Sequence, residues 1–143
     1  MTDSYNAAMP HGAIKEVFPD VFVVMGTMRN EFFGSMWTFG RNMTIVREGG
    51  VLTLINAVRL DDAGLAALDA LGRVGHVLQI GAMHGHDDRF YVDRYGAEFW
   101  AVEGMPRDER IALGHVLTEG GELPFGGASL FVFHETKLPE AIV

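Results

Sequence analysis

The run His84-Gly85-His86-Asp87-Asp88-Arg89 places two imidazoles beside two carboxylates. Alternate side chains of an extended segment point the same way, so an extended run directs His84 and His86 to one side. Asp88 joins them if the chain stays extended. Gly85 leaves room for the backbone to approach an ion. Imidazole and carboxylate donors suit zinc, iron or manganese. Two donors do not make a tight site, and His134, closing the strand-like run "SLFVFH", is the best candidate for a third. The same residues also read as a solvated Gly/Asp-rich turn. Asp88 would then cap the following helix, with Asp87 adding favourable charge at its start. Spacing alone leaves both readings open. Taken singly, His134 reads as structural. His11, His76 and His115 have no partner pattern and read as structural or surface residues.

The elements around the run are legible from pattern. Pro19-Asp20 is a turn signal ahead of a β-rich stretch, Val21 to Val24. Residues 36–60 read as two strands joined at Glu48-Gly49-Gly50. Alternation in "NMTIVRE" sets Met43 and Ile45 on one side, with Arg47 a candidate for the same side. "VLTLINAV" is nearly all apolar and suits a strand buried on both faces. Residues 60–75 form the strongest helix pattern. Asp61 or Asp62 caps it, Leu65, Leu68 and Leu71 make its apolar stripe, and Gly72 ends it. A strand over 76–83, a helix over 87–96 ended by Gly96 and a strand over 97–102 follow. That order implies a sheet with helices on a face. Phe99 and Trp100 read as core. Trp37 and Phe39 read as core too, although they lie beside a glycine and are candidates to line a pocket. The remainder reads as short strands broken by Gly120-Gly121, Pro124 and Gly126-Gly127. The closing Ala141-Ile142-Val143 is expected to add to the sheet.

Composition bounds the function. The chain has 143 residues, the length of one domain, and is 48% hydrophobic. Residues 1–13 read as a flexible lead-in and 14–143 as a single domain. The net charge of −8 argues against a nucleic-acid partner and against an anionic membrane surface. There is no cysteine, so any metal must rest on His, Asp and Glu. The opening "MTDSYNAAMPHG" does not read as a secretory leader and no apolar run approaches membrane length, so the expectation is a cytoplasmic protein.

The succession "RNMTIVREGGVLTLINAVRL", Leu-rich helix, "VGHVLQIGAMHGHDDRF" resembles the N-terminal half of the metallo-β-lactamase fold. The likeness covers roughly residues 14–134, as an order of elements plus one motif, the family's H-x-H-x-D-H. It implies an α/β (α+β) half-domain with a mixed β-sheet and helices packed on one face. It also implies that His84, His86 and His134 hold one zinc ion, with iron or manganese as alternatives. Asp88 matches the family's second-metal aspartate and would orient the attacking water. A bound zinc would lower the pKa of a water to about 7.

The sequence departs from the family in three places. Arg89 stands where the family has a histidine, and a guanidinium cannot coordinate a metal. "INAVRL" replaces the family's aspartate-rich turn. The downstream half with the last ligands is not in the chain, so the second metal site is not expected to assemble. Arg89 is expected to supply positive charge there and to pair with Asp87 or Asp88. Two functions follow as expectations. One is a single-metal hydrolase acting on a small-molecule substrate. The other is a non-catalytic relative, a half-domain that folds by homo-oligomerisation or with a partner chain. Under either, the domain 14–143 is expected to be incomplete at its C-terminus.

Overall fold

A computed structural model describes residues 4–143. The first half is a set of antiparallel hairpins. Strand β1 (Lys15–Phe18) pairs with β2 (Val21–Phe32), β2 with β3 (Ser35–Glu48), and β3 with β4 (Val51–Ile55). Two of these turns rest on pairs of left-handed residues, Phe33-Gly34 and Gly49-Gly50. Paired positive φ values match the twist that a two-residue hairpin loop needs. The chain then changes mode. Helix α1 (Asp62–Leu71) carries it to β5 (Arg73–Gln79), and helix α2 (Asp88–Tyr95) carries it to β6 (Glu98–Val102). Strands β4, β5, β6 and β7 (His115–Leu117) run parallel, which completes a seven-stranded mixed sheet in sequential order. The final strands, β8 (Phe131–Phe133) and β9 (Glu140–Ile142), form a separate antiparallel pair.

Alternation along the central strands divides the apolar side chains between two faces. Leu52, Leu54, Val74, Val77, Phe99 and Ala101 meet Leu65 and Leu68 of α1 and Phe90 and Tyr91 of α2. Ile55, Leu78, Trp100 and Val102 turn the other way, against Val132 of β8 and Ala141 of β9. The helices therefore share one face, as the sequence pattern implied, and the small hairpin covers part of the other. Asp61 caps α1 by accepting from the Gly64 amide at 2.8 Å. Gly96, in the left-handed region, ends α2. No helix among the described residues is long and apolar enough to cross a membrane.

Several expectations need correction. Strand β5 spans Arg73–Gln79, not 76–83. Its start is fixed by parallel pairing of Arg73 with Val51, which single-strand pattern does not carry. Residues 81–83 and 86–87 are bend and turn, with 84–85 irregular between them, so the histidine pair lies in a loop and not on an extended strand end. The last strand joins β8 and not the main sheet. Trp37 and Phe39 are exposed on the long β2–β3 hairpin, while Phe99 and Trp100 are core.

Candidate active-site loop and its arginine counter-ion

Strands β4 and β5 run parallel, and the segments leaving their C-terminal ends lie side by side. Such ends are where open α/β sheets hold ligands. Asn56, left-handed at the end of β4, receives the Ile80 amide on Oδ1 at 3.1 Å. Glu140 of β9 receives the Ala82 amide at 3.2 Å. These bonds fix the start of the loop. Within it the His84 amide donates to the Gly81 carbonyl at 3.1 Å. The His84 ring lies over Gly81 so closely that a Cβ there would collide with it. A Cβ at Gly85 would meet Gln79 Oε1 at 2.7 Å. Both glycines are thus explained by close packing inside the loop.

The hub of the site is Asp87, which the sequence reading left in second place. It is buried, and its carboxylate receives donors from three segments. Arg41 of β3 contributes Nη2 in a buried ion pair. The Arg59 amide donates to Oδ2 at 2.8 Å, and Asn6 Nδ2 donates to Oδ1 at 3.2 Å. The same Asn6 amide reaches the His86 carbonyl at 2.9 Å. Tyr91 of α2 ties in the segment after β4. Its hydroxyl donates to the Val58 carbonyl at 2.7 Å and accepts from the Leu60 amide at 3.1 Å.

Asp88, the first residue of α2, is fully buried, and neither carboxylate oxygen makes a hydrogen bond of normal geometry. Burial pushes its pKa from 3.8 up to about 8, against the opposing pull of Arg41 and the nearby Ala57 amide. Its side chain lines none of the cavities described below. His86 has its pKa lowered, first by burial and then by the charges of Arg41 and His84. Arg41 thus sits among His86, Asp87 and Asp88 as a fixed cation.

Arg89 does not take that position. It pairs with Asp93 one turn along α2, at 3.4 Å, and lies over the Tyr5 ring. His134 is elsewhere too. Its side chain is 73% exposed and faces Glu119 at 3.9 Å. It borders a groove with Val102, Leu117, Val132 and Pro139 that includes neither His84 nor His86. The remaining histidines have ordinary partners. His11 accepts from the Asp61 amide at 2.9 Å, His76 accepts from the Trp100 indole at 3.2 Å, and His115 meets Glu98 at 2.8 Å.

A metal centre needs several donors converging on one point. Among the described residues, no group of three or more His, Asp or Glu is arranged to hold a metal ion. The set His84, His86 and His134 is not brought together, and Asp88 is buried in the field of the Arg41 cation. The residues present do not fit the one-metal site that the resemblance implies. Arg41 was missed, although a signal for it existed. The alternation that places Ile45 and Met43 inward, carried two residues further back, places Arg41 inward as well.

Two cavities flank the loop. The first, of about 300 Å³, lies against β2, β3 and the segment after β4 and is bordered by Arg29, Arg41, Arg59 and His86. The second, of about 420 Å³, is bordered by Gln79, Gly85, Pro106 and Arg107. Asn6 and His86 border both.

No protein-family model matches the chain. No curated protein matches it. Solved structures do. The DIM-1 metallo-β-lactamase exposed to ceftazidime superposes with a TM-score of 0.59 at 14% identity, over 90% of this chain and 61% of that one. The metallo-β-lactamase from Pontibacter korlensis gives 0.56 at 13% identity, over 84% and 59%. FIM-1 from Pseudomonas aeruginosa, in its mono-zinc form, gives 0.52 at 14% identity, over 78% and 52%. The chain spans between 52% and 61% of the length of these three structures. Identities this low speak to fold alone. With its mixed seven-stranded sheet, its two helices on one face and its loop of histidines after β5, the chain has the metallo-β-lactamase fold.

Proposed function

We propose that this chain is a non-catalytic relative of the metallo-β-lactamases, in which an internal arginine and not a metal organises the loop after β5. One observation carries the reading: the buried ion pair of Arg41 with Asp87. A guanidinium beside Asp87 and Asp88 disfavours a second cation there, since like charges repel strongly in a poorly solvated site. Asp88 is fully buried and borders neither cavity, which sets it apart from a group that positions a water there. The alternative, a zinc-dependent hydrolase on His84, His86 and His134 with Asp88 as its water-positioning group, draws its support from the motif in its place within the fold. Calorimetric titration of zinc into tag-free protein separates the two. No stoichiometric binding, and no change in melting temperature on adding a chelator, is the expected result. One zinc per chain, lost in His84→Ala, would overturn the reading.

The same reading includes association. The outer face of the β8–β9 hairpin exposes Phe131 (59%), Phe133 (46%) and Ile142 (53%), and clustered apolar exposure marks interaction surfaces. The chain is expected to sediment as a dimer at micromolar concentration, and Phe131→Ser is expected to return it to monomer. A wild-type monomer across that range would contradict this part of the proposal.

A further inference from the structure

The first cavity concentrates positive charge on a chain of net charge −8. Arg29, Arg41 and Arg59 border it, and among the described residues the one acidic side chain lining it is Asp87. That carboxylate is already engaged by Arg41, by the Arg59 amide and by Asn6. The guanidinium of Arg59 is held in position. It lies 3.4 Å from the centroid of the Phe90 ring, and its Nη1 donates to the Leu60 carbonyl at 2.9 Å. Its buried Nε has no hydrogen-bond partner among the described residues, and neither do Nε and Nη1 of Arg41. Arg29, on β2, is exposed at the same cavity. Met9, Met28 and Val58 give the lining an apolar part, beside the polar Asn6, Thr27 and Asn30. A planar guanidinium fork recognises carboxylates and phosphates with two parallel bonds. A volume of about 300 Å³ is at the small end for ligand pockets.

We propose that this cavity binds a small organic anion, with its charged head on Arg59 and Arg29 and its apolar body against Met9, Met28 and Val58. Arg41 adds to the positive field from the cavity wall. The proposal rests on the metal-free reading above, since a metal on His86 would offer the anion a different anchor. Recognition by arginines requires the ligand's charge and not merely its shape.

The full-length chain is titrated with benzoate, with phenyl phosphate and with the neutral benzamide, followed by amide NMR shifts, in the presence of a chelator. Saturable binding of at least one anion is expected, with shifts centred on residues 27–30, 58–59 and 86. Benzamide is expected not to bind. Arg59→Met, which keeps the backbone bond to Asp87, and Arg29→Met are each expected to weaken the anion about tenfold, a loss of roughly 1.4 kcal/mol. Preference for benzoate or for phenyl phosphate identifies the head group. Three results would overturn the site: no saturable binding of either anion with or without chelator, equal binding of benzamide, or affinity unchanged in both folded variants. Binding abolished by chelator and restored by zinc would instead contradict the metal-free reading, with the anion held by the metal.

Discussion

Asp88→Asn is expected to flatten the pH dependence of stability between about pH 4 and pH 8. The carboxyl is fully buried, and burial lifts its pKa from 3.8 to about 8. In that interval the folded protein keeps a proton that the unfolded chain releases. Stability from this group is therefore fully present below the unfolded pKa and falls as pH rises, until it is lost near the folded value. One proton corresponds to a slope of about 1.4 kcal/mol per pH unit. Asparagine has nearly the same shape and never ionises, so the variant lacks that slope. Wild type and variant should be close near pH 4, with the variant more stable near pH 8. Urea unfolding at intervals across this range checks it. Parallel curves would mean that Asp88 is ionised and compensated in the folded state.

Arg41→Ala is expected to be strongly destabilising. The side chain spans from β3 to Asp87 at the start of α2, and both partners are buried. Removing one partner of a buried pair leaves a carboxylate in low dielectric with only the Arg59 amide and Asn6 to compensate it. Such losses are about 3–5 kcal/mol. For a domain whose total stability is about 5–15 kcal/mol, this is a fall in melting temperature on the order of 10 °C. Arg41→Met combined with Asp87→Asn removes both charges and should recover much of the loss, because the damage comes from the uncompensated charge and not from missing bulk. A double variant no more stable than the single would shift the explanation to packing.

Most of the framework was legible in the sequence because local chemistry enforces it. Gly49-Gly50 can only be a tight turn between two β-rich runs, and both residues have positive φ. Asp61 and Leu65-Leu68 define a capped amphipathic helix, and that helix is present with that cap. Gly96 stops α2 in a left-handed conformation. What the sequence did not carry was set by contacts distant in the chain. The start of β5 depends on pairing with β4. The destination of the last strand depends on β8.

The site was half legible for the same reason. His84 and His86 share a loop, but the conformation of that loop is set by Asn56, Glu140 and Gln79. It does not follow the alternation of an extended strand. His134 ends a strand, as read, but that strand belongs to the separate hairpin. The pairing of Arg41 with Asp87 links residues 46 apart in the chain. An inward-facing charge on an otherwise apolar strand face was its one trace, because a buried arginine requires a partner.

The central claim is that a protein cation, Arg41, organises the loop where the H-x-H-x-D resemblance implies a metal. A crystal grown with excess zinc, with anomalous data collected at the zinc edge, tests it most directly. The account predicts Arg41 and Asp87 paired and no anomalous peak at the loop of His84, His86 and Asp88. A peak bonded to those residues, with Arg41 displaced from Asp87, would contradict it.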